Sequence, residues 1–266
     1  MTKAVWDKRA VANGPARVEY RIAGKGKTIV SLPGLGRTTE DHLPLGERLI
    51  AAGYRVVLPM PRGMGGSTGP LTGITLHDLA ADVAKVIEAV GDIPAILCGH
   101  AYGNRVARLI ATDRPDLVSH LVLFTASGKV AGTPEVVAAI ERVKNPALPI
   151  EERRKAALVS MVGPTRDPTV WLDGWNDPIA KACQAALRAV PTEEWWTGGK
   201  AKVLVIQGLA DKSSPPVNGR MLKEELGERC TLVELDGVGH SVPVEAPDEV
   251  AAAMIAYLKK QHLAAA

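Results

Sequence analysis

Short apolar runs recur along the chain and are separated by turns rich in glycine and proline. The runs are unbroken rather than alternating and rich in Val, Ile and Leu, which is typical of strands buried on both faces of a parallel sheet. The strands predicted in this way are Thr28–Leu32, Arg55–Pro59, Ala95–Cys98, Leu121–Phe124, Lys202–Gln207 and Cys230–Leu235. An earlier segment, Ala16–Ile22, alternates apolar and polar positions and predicts an antiparallel edge strand.

Helical periodicity fills the intervals between these strands. Apolar residues at three- and four-residue spacing predict three helices, marked by Leu76, Leu79, Val83, Val86, Ile87 and Val90, by Val106, Leu109 and Ile110, and by Val250, Met254, Ile255 and Leu258. Thr75 and Asp78 form the pattern of a capping box at the start of the first. Alternating strands and helices predict an α/β fold, a mostly parallel central sheet flanked by helices on both faces.

Residues 129–196 interrupt this alternation. They show helical patterns, several prolines and no clear strand, and they hold four of the five tryptophans, Trp171, Trp175, Trp195 and Trp196. We therefore expect a helical cap over one end of the sheet, with the α/β core in residues 1–128 and 197–266. The tryptophans predict an aromatic-lined pocket for a small, largely apolar ligand, with Trp171 and Trp175 as the contacts.

Composition narrows the class of protein. The 266 residues are 46% hydrophobic with a net charge of +3, and no basic block predicts binding to nucleic acid. No apolar run reaches the 18 or more residues of a membrane span, and the first residues do not have the pattern of a signal peptide. The three cysteines have no metal-binding spacing, so we expect a cytoplasmic protein with no metal. A homodimer is left open.

One pentapeptide indicates chemistry. Gly99-His100-Ala101-Tyr102-Gly103 follows a predicted strand and opens a predicted helix, the context of a nucleophile elbow at the carboxyl edge of the sheet. At this point the chain resembles the α/β-hydrolase family, and the resemblance covers nearly its whole length. It implies that Ala101 occupies the position of the nucleophile, where esterase-like members have serine. A methyl group cannot attack a carbonyl carbon.

The same resemblance implies the other parts of a hydrolase site. Asp211, after the strand Lys202–Gln207, matches the acid of a catalytic triad, and His240, in a segment that continues to Glu245-Ala246-Pro247, matches the base. In that arrangement the acid would fix the histidine tautomer. The backbone N–H groups of Leu35 and Tyr102 would form an oxyanion hole.

Several neighbouring residues are less clearly assigned. Gly34 lies beside the implied oxyanion hole, and Arg37 and His42, which follow it, either contact substrate or lie on the surface. His100 is expected to point into the scaffold. We expect His77, His120 and His262 at the surface, and Cys98 in a buried strand. The turn Met60–Ser67 matches a family turn but lacks the Asp usually two positions before Arg62, and its role is taken as structural.

These observations predict a serine hydrolase of a small, largely apolar carboxylic ester or lactone, without a cofactor. The chain as written is expected to be inactive, since losing the nucleophile costs about 10⁶ in kcat in subtilisin. Two observations favour an engineered replacement of serine by Ala101. The terminal Leu263–Ala266 resembles a cloning-vector scar. The central residue of an elbow usually has a strained backbone, and alanine would keep this strain without the nucleophilic reaction that justifies it. The alternatives are a C–C bond or amide hydrolase, a cofactor-free haloperoxidase side activity, and a natural non-catalytic protein that binds a ligand.

Overall fold

The computed structural model describes residues 4–261 and contains one sheet of eight strands. The strands are β1 Asp7–Asn13, β2 Ala16–Ala23, β3 Thr28–Leu32, β4 Arg55–Pro59, β5 Ala95–His100, β6 Val118–Phe124, β7 Lys202–Gly208 and β8 Cys230–Leu235. The helices are α1 Leu43–Ala51, α2 Leu76–Val90, α3 Tyr102–Asp113, α4 Pro134–Lys144, α5 Ile150–Ser160, α6 Asp177–Arg188, α7 Thr192–Trp195, α8 Val217–Leu226, α9 Val242–Glu245 and α10 Pro247–Lys260. His262 and Leu263–Ala266 lie outside the described residues.

The strand order is β1-β2-β4-β3-β5-β6-β7-β8, and every pair from β4 to β8 is parallel. The predicted α/β fold is therefore confirmed. The segment predicted as an antiparallel edge strand is antiparallel to β4 but is not the edge, because β1 pairs with its other side. The sequence of β1, DKRAVAN, is mostly exposed and has no apolar pattern that would have predicted a strand.

Successive strand residues point to opposite faces of the sheet, and each face is covered by helices. Val30, on one face, belongs to a core that includes buried residues of α2 and α3 and Leu222 of α8. Ile29, on the other face, belongs to a core with residues of α1 and α10. The predicted capping box at the start of α2 is present, since Thr75 and Asp78 bond to each other's backbone groups.

The chain between β6 and β7 contains four helices and a short 3₁₀ turn, Pro168–Trp171, and no strand among its described residues. Helices α4 and α5 have a small apolar core of their own with Met161 and Trp171. Trp195 and Trp196 instead pack in the main core, where their rings lie 4.7 and 5.0 Å from the buried guanidinium of Arg108. We refer to the chain between β6 and β7 as the cap segment, or cap; its existence as a separate domain with limits at residues 129 and 196 remains a prediction.

The turn Met60–Ser67, which lacks the Asp usually found two positions before Arg62, is held by the carboxylate of Asp82. Asp82 of α2 accepts two hydrogen bonds from Arg62, both at 2.8 Å, and both side chains are buried. The guanidinium also donates to the carbonyl of Pro70. Arg62 therefore attaches the turn after β4 to the middle of α2, in agreement with a structural role.

Candidate active site

The carboxyl ends of the parallel strands meet at one edge of the sheet, and the loops that follow them hold the predicted site residues. Gly34 to Arg37 follow β3, Ala101 follows β5, Asp211 follows β7 and His240 follows β8. A cavity of about 230 Å³ lies at this edge, beneath α4 and the Trp171 segment. Its wall includes seven of the predicted residues, Gly34, Leu35, Arg37, Ala101, Trp171, Trp175 and His240.

Ala101 has the backbone conformation of a sharp strand-to-helix turn. Its φ is 48° and its ψ is −103°, a region that costs a non-glycine residue about 1–3 kcal/mol. The two glycines of the pentapeptide are required by close backbone contact. A Cβ atom on Gly99 would lie 2.4 Å from the carbonyl carbon of Gly103, and one on Gly103 would lie 2.6 Å from the carbonyl oxygen of Leu32. The elbow is therefore formed although its central residue has no nucleophilic atom.

Asp211 and His240 form a buried hydrogen-bonded pair. Nδ1 of His240 lies 3.0 Å from Oδ2 of Asp211, whose other oxygen accepts the N–H groups of Ser213 and Ser214 at 2.8 Å. The carboxylate is fully buried and can only accept, so the imidazole donates from Nδ1. This tautomer leaves the lone pair of Nε2 free, on a side chain that lines the cavity.

The backbone of His240 is held on both sides. Its N–H donates to the carbonyl of Met161 at 2.6 Å, and its carbonyl accepts from Nε2 of His100 at 2.8 Å and from Oγ1 of Thr125 at 3.0 Å. Glu245 adds three further bonds, because its carboxylate accepts the N–H groups of Gly163, Gly239 and Ser241. The motif around Glu245 is visible in the sequence, but its three backbone partners depend on the fold.

His100 is buried, as the sequence predicts, yet it also lines the cavity. Its bond to a carbonyl oxygen requires a proton on Nε2, so Nδ1 is the acceptor atom. Burial holds the pKa of His100 well below its usual value, and the rings of His240 and His42 lower it further. The imidazole is therefore neutral, and its ring centroid lies 5.0 Å from that of His240.

The two backbone amides of the implied oxyanion hole have no hydrogen-bond acceptor within residues 4–261. Tyr102 is the first residue of α3, and the first amides of a helix have no partner inside it. Leu35 lies in the glycine-rich loop after β3 and lines the cavity, whereas Tyr102 is absent from the cavity wall. Both N–H groups are therefore free to donate, and their role in an oxyanion hole remains a prediction.

Arg37 is buried, so its surface alternative is wrong. All three guanidinium nitrogens donate: Nε and Nη2 each bond Asp41 at 2.8 Å, Nη2 bonds the carbonyl of Val170 at 3.2 Å, and Nη1 bonds the carbonyl of Asp173. The guanidinium carbon also lies 5.0 Å from the ring centroids of Trp171 and Trp175. Arg37 lines the cavity, but its bonds fasten the loop after β3 to the cap.

His42 is likewise buried, and the surface alternative is wrong for it too. Its Nδ1 lies 2.8 Å from Oγ of Ser31, and its Nε2 is buried without a partner. Burial lowers the pKa of His42 to about 4. The residue does not belong to the cavity wall, so a substrate in this cavity does not touch it. The sequence around His42 has no pattern that predicts its burial away from the cavity.

Trp171 and Trp175 form a stacked pair on the cap side of the cavity. Their ring centroids are 5.3 Å apart with an interplanar angle of 26°, and Nε1 of Trp175 donates to the carbonyl of Trp171. Lys144, which the sequence did not single out, places its ammonium nitrogen 5.4 Å from the Trp175 ring centroid and 2.9 Å from a carboxylate oxygen of Glu141. The cap side of the wall therefore combines the stacked aromatic rings with an ion pair at α4.

Three other residues that the sequence singled out, Cys98, His77 and His120, do not belong to the cavity wall. Cys98 is fully buried in β5, and burial raises the pKa of its thiol far above the usual value. His77 is exposed, and His120 is half-buried. Within residues 4–261, no group of three or more His, Cys, Asp or Glu side chains is placed to bind a metal ion. In the same part of the chain, no helix has the length and apolarity needed to cross a bilayer.

Comparison with known proteins agrees with this architecture. The profile of the Alpha/beta hydrolase family matches residues 29–253, and the chain belongs to this family. The non-heme chloroperoxidase of Streptomyces lividans is 27% identical over 243 residues, which cover 79% of this chain and 83% of that protein. The soluble epoxide hydrolase of Corynebacterium sp. is 31% identical over 124 residues, 47% of this chain and only 43% of that relative.

Solved structures show the same fold. A thermophilic esterase from Thermogutta terrifontis superposes with a TM-score of 0.75 at 20% identity, covering 97% of this chain and all of that one. The structure of E-2-(acetamidomethylene)succinate hydrolase gives a TM-score of 0.74 at 20% identity, with 96% of this chain covered. At this level of identity the likeness concerns the fold, and the reaction must be argued from the site.

Proposed function

We propose that this chain is a hydrolase of a small, largely apolar carboxylic ester or lactone whose nucleophile position is occupied by Ala101. The observation that carries the proposal is the elbow itself. Ala101 keeps a φ of 48° and lines the same cavity as His240, whose Nε2 has a free lone pair. Such strain is ordinarily associated with chemistry at the strained residue. This supports the interpretation that Ala101 stands in place of a serine.

With serine at position 101, the site has a complete acyl-transfer mechanism. The hydroxyl would attack the carbonyl carbon while Nε2 of His240 takes its proton, and Asp211 would stabilise the imidazolium. The amides of Leu35 and Tyr102 would bind the oxyanion. His240 would then protonate the leaving alcohol and activate water for deacylation. With alanine this covalent route is closed.

The substrate class follows from the size and the lining of the cavity. About 230 Å³ lies below the range of roughly 300–1,000 Å³ that is usual for drug-sized ligands, which favours a small molecule. The Trp171–Trp175 pair supplies flat apolar surface, and the exposed Val137 and the half-buried Ile140 continue it along α4. Polar groups on the wall, besides His240, come from Arg37, His100, Gln184, Ser213 and the Lys144–Glu141 pair. An uncharged acyl or alcohol group fits this wall.

The test restores the hydroxyl. Ala101→Ser and the unchanged chain are assayed on 4-nitrophenyl esters of increasing acyl length and on simple lactones, with a fluorophosphonate label located by mass spectrometry. We expect the Ala101→Ser variant to carry the label at position 101 and to be about 10⁶-fold faster in kcat where the unchanged chain has no catalysed route of its own, and less than that where it has one. Ser213 is the other hydroxyl at the cavity, so Ser213→Ala combined with Ala101→Ser is the matched control and should keep the label.

The same assay separates the alternatives. Turnover of amides or of C–C bond substrates without ester turnover would show that the chain is an amide or C–C bond hydrolase that uses the same catalytic residues. A folded Ala101→Ser variant that neither labels nor hydrolyses, but binds esters tightly, would support a ligand-binding protein. A reaction like that of an epoxide hydrolase needs a carboxylate at position 101, and Ala101→Asp assayed on small epoxides tests it.

A further inference from the structure

We propose that the chain with Ala101 has a hydrolytic route of its own, in which His240 and Asp211 activate a water molecule that attacks the substrate directly. The inference rests on the proposed function for the nature of the substrate, a carboxylic ester. It differs in the mechanism, because no covalent acyl-enzyme is formed. The imidazole then acts as a general base on water rather than on a side chain.

The base is positioned without any help from residue 101. Asp211 orients the ring through Nδ1 at 3.0 Å and is itself fixed by the amides of Ser213 and Ser214. The carbonyl of His240 accepts from His100 and Thr125, and its amide bonds the cap at Met161. None of these bonds involves the side chain at the elbow, so the loss of a hydroxyl there leaves the base in place.

The free lone pair of His240 faces a cavity that has room for both reactants. Among residues 4–261 no group bonds Nε2 of His240, and Ala101 presents a methyl group to the same cavity. A water molecule has a share of roughly 30 Å³ in the liquid, small against the cavity of about 230 Å³. A water bonded to Nε2 would therefore share this cavity with the substrate and with the methyl group of Ala101.

The reaction balances with water as the only co-reactant. The water oxygen forms a bond to the carbonyl carbon while one of its protons moves to Nε2, and the amides of Leu35 and Tyr102 stabilise the resulting oxyanion. The tetrahedral intermediate then breaks its bond to the leaving oxygen, which takes the proton back from Nε2. The products are a carboxylic acid and an alcohol, and the imidazole returns to its neutral form.

The size of the effect is set by what a positioned general base contributes, about 10²- to 10⁴-fold. Subtilisin supplies the opposite case, since loss of its serine costs about as much as loss of the whole triad, about 10⁶ in kcat, so its histidine contributes nothing alone. Dependence of the rate on His240 in the Ala101 chain therefore distinguishes a working base from a scaffold that merely binds the ester.

The experiment compares initial rates of 4-nitrophenyl acetate hydrolysis by the unchanged chain, His240→Gln, Asp211→Asn and Ala101→Ser. The matched control is His77→Gln, which removes an exposed imidazole that bonds Asp113 and Glu194 outside the cavity. Fluorophosphonate treatment and intact-protein mass spectrometry during turnover report any acyl-enzyme. Thermal unfolding identifies a variant that fails to fold, and Asp211→Asn, which keeps the imidazole, provides a second measure of the base.

We expect the unchanged chain to be at least about 100-fold faster than His240→Gln and Asp211→Asn, equal to His77→Gln, insensitive to fluorophosphonate and free of adduct. A rate no higher than that of folded His240→Gln overturns the inference, whatever Ala101→Ser does. An acyl adduct on the unchanged chain also overturns it, because another nucleophile would be acting. An inactive Ala101→Ser beside a rate that depends on His240 overturns the covalent proposal and leaves this inference standing.

Discussion

Oε2 of Glu245 accepts the N–H of Gly239 at 2.9 Å, one residue before His240. The same oxygen accepts the amide of Gly163 at 2.8 Å, and Oε1 accepts the amide of Ser241 at 3.0 Å. One carboxylate thus fixes both neighbours of the histidine and joins them to the cap segment. The backbones there are in direct contact, since a Cβ on Gly239 would lie 2.5 Å from the carbonyl oxygen of Met161.

We therefore expect Glu245→Gln to loosen the histidine loop. An amide has one acceptor oxygen, and its NH₂ group would face an N–H, so at least one of the three backbone donors loses its partner. The free energy of unfolding should fall by about 1–3 kcal/mol, the cost of a buried unsatisfied polar group. In the Ala101→Ser background kcat should fall while KM changes little, because the base moves and the cavity wall does not.

The control for this change is Glu249→Gln, four residues further along. Glu249 is exposed and pairs with Arg166 at 3.4 Å, and exposed pairs contribute about 0–1 kcal/mol. Urea unfolding measures the loss of stability in both variants, and steady-state kinetics measures their kcat and KM. Equal midpoints for Glu245→Gln and Glu249→Gln would show that the three bonds do not hold the loop.

The burial of His42 predicts a pH dependence of stability. The folded protein holds this imidazole neutral down to a pKa of about 4, whereas the unfolded chain binds a proton near pH 6.5. Between these values the unfolded state carries more protons, so stability rises with pH and is lost as pH falls from 6.5 towards 4. The loss from this one group should be about 3 kcal/mol.

The comparison that isolates His42 is His42→Leu combined with Ser31→Ala, which removes both members of the buried pair. Unfolding free energies of the two proteins are measured from pH 7 to pH 4, so that groups common to both cancel. The unchanged chain should lose about 3 kcal/mol more than the double variant. Added to Ala101→Ser, the two changes should leave KM as it was, and a large change in KM would contradict the position of His42 away from the cavity.

The sequence predicted the six parallel strands and the site loops because these depend on local patterns, although β8 lies at the edge of the sheet and only its first residue, Cys230, is buried. Continuous Val and Ile runs have one stable environment, and glycines at 99 and 103 are required wherever a helix leaves a strand so closely. The outer strand β1 and the burial of Arg37 and His42 depend on partners distant in the chain. A polar strand paired on one edge, or an arginine held by cap carbonyls, has no pattern within its own segment.

Arg37 should be essential for the attachment of the cap. Arg37→Lys keeps the charge but loses the two-nitrogen contact with Asp41 and the planar contact with the Trp171–Trp175 pair. Disruption of a buried pair of this kind costs about 3–5 kcal/mol when a partner is removed, and we expect about 2–3 kcal/mol for the lysine. Tryptophan fluorescence should change in parallel, because the stacked pair loses its contact with the planar guanidinium of Arg37.

Arg48→Lys is the matched control for Arg37→Lys. Arg48 also contacts a carboxylate through two nitrogens, that of Asp248, but Asp248 is exposed and the pair lies at the surface. Its replacement should cost less than about 1 kcal/mol and leave the fluorescence unchanged. Similar losses in the two variants would mean that the bonds of Arg37 to the cap contribute no more than a surface pair.

Because the backbone at Ala101 is strained, we expect Ala101→Gly not to lower the free energy of unfolding, as an Ala to Gly change ordinarily does. Ala to Gly in a helix costs about 1 kcal/mol, and Ala252→Gly on the exposed face of α10 should show this loss. At Ala101 the φ of 48° favours glycine, so relief of about 1–3 kcal/mol opposes the entropy cost of roughly 0.5–1 kcal/mol. Ala101→Gly should therefore be neutral or stabilising by up to about 2 kcal/mol, as measured by urea unfolding.

A loss equal to that of Ala252→Gly would show that the elbow of this chain is relaxed, and would remove the argument that its conformation is kept for a nucleophile.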